Sequence, residues 1–286
     1  MEKGRKIPMD KKKKIGILGS IAMDNIFNAR SVPEKGERVF GNLIGSCIGG
    51  MAANQAVEAA RYSDQIYLLG SVGTDETGDR IYRHLEERGC RTELLIRNTA
   101  AVTGQTYMFL VEDNNDYFSV VSLGANKTLR AEDVIPQLKD IDVLLISLEI
   151  NIQTAQQILD HAEKSGIYTY LCLSPAENCT QEMIEKADAL IANRREAEML
   201  LHISGETAEE ILHGLAGCPL GEKKLILISL GEKGAVFRLG GRSGHVKGIK
   251  VNPVDPVGAG DAFAGAFVAA RESGEDIYRA LCYGCI

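Results

Sequence analysis

The stretch DPVGAGDAFAGAF, Asp255 to Phe267, sets one acid, Asp261, directly behind Gly258, Ala259 and Gly260 and ahead of a run of small and apolar residues. Residues without bulk at the start of a helix leave backbone N–H groups uncovered, where the helix N-terminus carries partial positive charge. That arrangement is an anion site. An acid inside it repels a resident phosphate, but suits a base that takes the proton of an attacking hydroxyl while the amides stabilise the transferring phosphoryl charge. The same residues also read as a small-residue turn feeding a closely packed helix, with Gly265 and its neighbouring alanines as the contact face. On this stretch alone both readings stand.

Other polar residues fall where apolar runs end: Asp24, Gly49 and Gly50, Glu149 closing LLISLE, Asn193 closing ALIAN, and Ser229 and Gly231 closing LILISLG. Each has a plain structural alternative: Asp24 as a turn cap, Glu149 as the exposed start of a helix, Asn193 as an N-cap. Two phosphate-binding motifs are absent. No G-x-x-x-x-G-K-[ST] occurs, and the first apolar run leads into GSIAMD rather than G-x-G-x-x-G, which argues against a Walker loop and a dinucleotide fold.

These residues need a scaffold that brings strand ends together. Lys14 to Ile21 reads as a first strand, Met51 to Arg61 as a helix with a small-residue face, QIYLLGSVG as a strand, and Glu76 to Arg88 as a charged amphipathic helix. Arg38 to Ser46 reads as a half-exposed strand. QTYMFLV and YFSVVSL flank the polar EDNND as a hairpin, and with Arg38 to Ser46 they predict a small antiparallel sheet apart from the main core. From Asp142 onward nearly continuous apolar strands alternate with helices, which predicts a parallel sheet covered on both faces. In such α/β sheets ligands lie outside the carboxyl ends of the strands.

At 286 residues, 45% hydrophobic and 25% charged, the chain has enough material for one large core. A net charge of -7 argues against a nucleic-acid partner, which needs clustered Lys and Arg on the fold. The basic MEKGRKIPMDKKKK, residues 1–14, reads as a solvated tail ahead of a single domain over 15–286. Asp24 and Asn25 follow the apolar IGILGSIAM directly, so the segment is read as a strand and not a signal peptide. No run approaches the ~20 apolar residues of a membrane span, and a cytoplasmic protein is expected. Seven cysteines give no disulfide framework, and the lone C-x-x-C of Cys282 and Cys285 reads as helix packing.

GGMAANQA, NRRE, SLGEKG and DPVGAGDAFAGAF, in their order and spacing, resemble the ribokinase family, the PfkB-type sugar and nucleoside kinases, and the resemblance runs from Ile15 to the last residue. It implies a three-layer α/β/α Rossmann-like core with a small β-sheet lid, formed from about residues 25–48 and 92–124. The lid closes over the sugar and makes a homodimer interface. The activity implied is ATP-dependent phosphorylation of a hydroxyl of a small sugar or sugar derivative. Carried over by motif, Asp261 is the base and the amides of Gly258, Ala259 and Gly260 are the anion hole. Asp24, Gly50, Met51, Asn54, Glu149 and Asp261 contact substrate, and Asn193, Ser229, Gly231 and Gly234 contact the nucleotide. Asn193 and Glu196 organise Mg²⁺ through water, while Asp255 and Val257 form the first half of a monovalent-cation site for an optional K⁺.

Two positions depart from the family's close ribokinases, Ala22 in place of Asn and Met51 in place of Lys. The more apolar pocket they imply suits another sugar, a deoxy sugar acid or the base of a nucleoside. The chain also reads as shortened at its C-terminal end, where the family continues into part of the adenine pocket and the rest of the cation site. The alternatives are therefore a nucleoside kinase of the same fold, or a catalytically impaired sugar- or nucleotide-binding protein.

Overall fold

Short runs rich in Ile, Leu and Val become strands, and six helices among the described residues open on a polar side-chain cap, from Asp75, Asn151, Thr180, Asn193, Thr207 and Asp276. In the computed structural model, which describes residues 12–111, 116–251 and 257–285, the first half of the chain forms β1 (Ile15–Leu18), β2 (Ala22–Ala29), β3 (Gly41–Gly49), α1 (Met51–Ala59), β4 (Ile66–Gly73), α2 (Glu76–Glu87), β5 (Leu95–Asn98), β6 (Gly104–Val111) and β7 (Asp116–Ser122). There follow α3 (Ala131–Val134), β8 (Val143–Ile146), α4 (Ile152–Ser165), β9 (Tyr168–Cys172), α5 (Gln181–Lys186), β10 (Ala189–Asn193), α6 (Arg194–Leu201) and α7 (Ala208–Gly217). The chain closes with β11 (Leu225–Ser229), β12 (Ala235–Leu239), β13 (Arg242–Val246), α8 (Ala259–Glu272) and α9 (Ile277–Gly284).

Among the described residues nine strands form the main sheet in the order β13-β12-β11-β10-β9-β8-β1-β4-β5. From β11 to β5 neighbours run parallel. The expected parallel sheet spans β11 to β5, and at one edge β12 and β13 extend it antiparallel. The physical cause is connection length: β11 returns through a single 3₁₀ turn at Gly231–Lys233, and β12 meets β13 through Gly240 and Gly241, leaving no room for a crossover helix.

The continuous apolar strands follow from burial on both faces. Ile15, Ile17, Val143, Leu145, Leu225 and Leu227 pack toward α1, α2, α8 and α9, whereas Leu18, Leu144, Ile146, Ile226 and Ile228 pack toward the layer holding α4 to α7. This is a three-layer α/β/α core. Within one layer α1 packs closely against α8: a Cβ at Gly265 would lie 2.2 Å from the Gln55 carbonyl oxygen.

The second sheet has the order β3-β2-β6-β7. It is not wholly antiparallel as expected, because β2 and β6 pair in parallel. Both leave the carboxyl end of the main sheet, β2 after β1 and β6 after β5, and so run the same way. Asp24, Asn25 and Asn28 make β2 poor in strand-forming residues, which is why its sequence does not announce it. Cross-strand partners hold it instead: Ser46 donates to Asn25 at 2.8 Å, Asn25 to Gln105 at 3.2 Å, and Phe27, Phe109 and Phe118 stack at 5.3 and 4.6 Å. Buried Asn126 staples the root of this sheet, accepting from Ile21 N at 3.0 Å and donating to Ile21 O at 2.8 Å. Of the basic N-terminal segment only residues 12–14 are described, where Lys12 pairs with Asp64 at 3.1 Å and Lys13 with Glu272 at 2.6 Å.

Candidate active site

Asp261 lies in the first turn of α8. Gly258 is the N-cap with φ 80, a left-handed conformation natural only to glycine, and no side chain caps the helix. A Cβ at Gly260 would meet nothing within 4 Å, so the leading amides border open space. Asn54 Nδ2 donates to Asp261 Oδ2 and Gln55 Nε2 to Oδ1, both at 3.2 Å. Burial pushes the Asp261 carboxyl up to about 6; the two amide donors oppose this shift, and the charges of Glu149 and Glu196 add to it. A carboxylate near neutrality beside uncovered helix amides is equipped to accept a proton next to an anion.

The helix start faces a cleft of about 250 Å³ at the carboxyl ends of the parallel strands. Met51, Glu149, Asn193, Glu196, Ser229, Gly258, Gly260 and Asp261 converge on its wall. Adjacency of parallel strands brings Asn193 and Ser229 together, since they are register partners at the ends of β10 and β11. Past the end of β8, Glu149 accepts from Ser20 Oγ at 2.5 Å, and Ser20 Oγ in turn accepts from Met51 N at 3.0 Å. A single buried serine thereby ties the Glu149 carboxylate to the start of α1.

Asn193 and Glu196 form a capping box at the start of α6: Glu196 N donates to Asn193 Oδ1 at 2.9 Å, while Asn193 N and Nδ2 donate to Glu196 Oε2 and Oε1, both at 2.8 Å. The pair is a helix cap and a cleft wall at once. Among the described residues no group of three or more His, Cys, Asp or Glu is arranged to hold a metal. The hard oxygens of Asn193 and Glu196 suit Mg²⁺, but each already accepts a hydrogen bond, so the pair fits an ion held through water better than one bound directly.

Other expected positions lie off this wall. Asn54 reaches it through Asp261, and Gly50 is the N-cap of α1. Asp24 is not at the end of the first strand but inside β2, in register with Thr106, and a Cβ on Gly49 would collide with its carboxylate at 1.9 Å. Burial raises the Asp24 carboxyl, opposed by a hydrogen bond from the Thr106 hydroxyl. Gly231 and Gly234 are absent from the cleft lining. Gly234 has a packing reason of its own, since a Cβ there would sit 2.0 Å from Val246 O. Ala259 is exposed in the first turn of α8, and Val257 is exposed just before it. Asp255 lies outside the described residues.

Sequence patterns did not single out Ser20, Gln55, Cys172, Ser174 or Phe263, which also border the cleft or hold a group that does. Position relative to strand ends was the available signal for Ser20, Cys172 and Ser174. Gln55 stands beside Asn54 in GGMAANQA, with nothing in its type to mark it.

Residues 12–285 match a family model described as pfkB family carbohydrate kinase. The chain is 32% identical over 270 residues to the ribokinase of Bacillus subtilis, covering 93% of this chain and 88% of that one. It is 30% identical over 273 residues to the deoxyribokinase of Salmonella typhi, again covering 93% of this chain and 88% of the relative. The crystal structure of the ribokinase of Cryptococcus neoformans var. grubii in complex with ADP superposes with a TM-score of 0.79 at 27% identity, over 96% of this chain and 91% of that one.

Proposed function

The chain belongs to the pfkB family of carbohydrate kinases, phosphotransferases with an alcohol acceptor, and from that premise we propose that it transfers the γ-phosphoryl group of ATP to a hydroxyl of a small sugar, with Asp261 as base. The observation that carries this reading is the position of Asp261: a carboxyl raised to about 6, held by two amide donors, in the first turn of an uncapped helix that opens on the cleft.

In this reading the substrate O–H bond breaks as its proton passes to Asp261. The freed oxygen forms a bond to the γ-phosphorus, and the bond from that phosphorus to the ADP oxygen breaks. The leading amides of α8, from Gly258 to Gly260, face the charge spread over the transferring group. Glu149, fixed by Ser20, and Asn54 accept and donate to substrate hydroxyls, with Asp24 and Gly50 bordering the substrate from the β2 and α1 side. Met51 gives the pocket an apolar wall. Asn193, Ser229, Gly231 and Gly234 border the nucleotide. Asn193 and Glu196 would hold Mg²⁺ through water, and the ion would supply positive charge screening the nucleotide phosphates from the cleft carboxylates.

A pentose is the favoured substrate, on the strength of relatives named ribokinase and deoxyribokinase. A homodimer through the small sheet is part of the same reading: Leu43 and Ile44 on β3 and Val120 and Val121 on β7, the two edge strands of that sheet, are 55 to 59% exposed. The test is a coupled ADP-release screen over ribose, deoxyribose, hexoses, sugar acids and nucleosides. Turnover on a sugar, lost in Asp261→Asn, is the expected result. Folded protein that binds ATP yet releases no ADP with any acceptor would refute the reading.

A further inference from the structure

Gln55 is fully buried on α1. Its Nε2 donates to Asp261 Oδ1 at 3.2 Å and to Cys172 Sγ at 3.7 Å. Its Oε1 is buried without a hydrogen-bond partner among the described residues. Buried amide oxygens are nearly always satisfied, and one left alone calls for a reason. Among the described residues the amide plane is set from the nitrogen side, by the carboxylate and the thiol.

The backbone of the same residue packs directly against α8, because a Cβ at Gly265 would lie 2.2 Å from Gln55 O and 3.0 Å from its carbonyl carbon. Gly265 follows Asp261 by four residues, one turn further along the same helix face. One residue of α1 therefore fixes α8 at two points a turn apart, its backbone against Gly265 and its amide against Asp261.

We propose that Gln55 is the positioning residue of Asp261, holding the carboxylate in the orientation that receives the substrate proton. The proposal rests on the reading of Asp261 as base. Asn54 borders the substrate and is free to exchange its bond to Asp261 for one to a hydroxyl. Gln55, sealed from solvent, keeps its bond throughout turnover. The groups that face Asp261 from the surrounding elements are Asn54 and Gln55 on α1, Glu149 after β8, Cys172 at the end of β9 and Glu196 on α6. Two of these are carboxylates that oppose ionisation of Asp261. The buried amide is a fixed donor that counters them.

The test uses Gln55→Met, which keeps length and approximate volume while removing both the donor and the orphaned oxygen, and Gln55→Glu, which keeps the shape and sets a second carboxyl beside Asp261. Carbon-13 NMR of carboxyl-labelled aspartates, with the Asp261 signal assigned by its loss in Asp261→Asn, reads the titration without any turnover. In Gln55→Met the Asp261 midpoint is expected to rise by roughly one pH unit. Sugar kcat is expected to fall about 10- to 100-fold, with KM for the sugar within about twofold. In Gln55→Glu the midpoint rises as well, through like charge, which covers the case in which the Met variant does not fold. An Asp261 midpoint unmoved in a folded variant, with melting temperature as the only change, would show Gln55 to be a packing residue and overturn the proposal. Because the titration needs no substrate, failure of this inference is separable from a failure of the kinase reading, which shows as absent ADP release by the parent chain.

Discussion

Replacing Asp261 by Asn is expected to lower turnover steeply and, at neutral pH, to stabilise the fold. The raised carboxyl sets the size of the effect. A group whose pKa moves from 3.8 unfolded to about 6 folded binds more protons in the native state across that interval, so native stability falls as pH rises through it. At 1.36 kcal/mol per unit, the ionised carboxylate burdens the native state by about 3 kcal/mol once pH exceeds 6. Asn removes that burden but presents an NH₂ to either the Asn54 or the Gln55 amide, losing one hydrogen bond worth about 1 to 2 kcal/mol. Asp261→Asn should therefore be about 1 to 2 kcal/mol more stable than the parent at pH 8. Its advantage should shrink by about 2 kcal/mol at pH 4.5, where the parent carboxyl is largely protonated. Urea unfolding of both proteins at the two pH values, extrapolated to water, reads the difference directly. Alongside it, kcat should drop by about 10²- to 10⁴-fold. A stability difference of the same size at both pH values would refute the argument that desolvation raises Asp261, and retained turnover would remove it as the base.

Three further outcomes are expected. Sugar kcat/KM should show an acid limb with a midpoint near pH 6, because only ionised Asp261 accepts the proton; a plateau continuing to pH 5 would contradict the raised carboxyl. In Gly265→Ala the new Cβ meets the Gln55 backbone at 2.2 Å, so α8 must shift. A loss of about 1 to 3 kcal/mol in urea unfolding is expected, with kcat falling more than KM changes. Charged substitutions at Ile44 and Val121 should convert a dimer to monomer in light scattering while leaving the far-ultraviolet dichroism unchanged; a parent chain already monomeric at micromolar concentration would sink the dimer interface.

How much of this was legible in the sequence depends on what kind of signal each residue carries. The α/β/α core declares itself because strands buried on two faces are apolar at every position, as VLLI of β8 and LILIS of β11 are. The antiparallel edge and the parallel pairing of β2 with β6 were not legible, since pairing direction follows from where connections leave the main sheet and not from the composition of a strand. β2 itself was missed because Asp24, Asn25 and Asn28 hide a strand held by cross-strand hydrogen bonds. In the site, Asp261, Glu149 and Asn193 stood out as polar residues at the ends of apolar elements. Ser20 and Gln55 did not, because each acts by holding another side chain, and a holding residue needs a partner that only the fold supplies.

Two readings of DPVGAGDAFAGAF competed in the sequence, an anion cradle with a base and a turn feeding a tight helix, and the packing explains why one stretch serves both. Gly258 frees the helix start, and its positive φ turns the chain so that the amides of α8 open on the cleft. One turn beyond Asp261, Gly265 lets the same helix touch the backbone of Gln55. A bulkier residue at Gly265 would push α8 away from α1, and Asp261 would leave the reach of the Asn54 and Gln55 amides, whose bonds at 3.2 Å have little length to lose. Close packing at Gly265 is thus a condition for the geometry at Asp261. The glycines around the acid are explained by the chemistry and by the packing together, because the packing sets the distance at which the chemistry works.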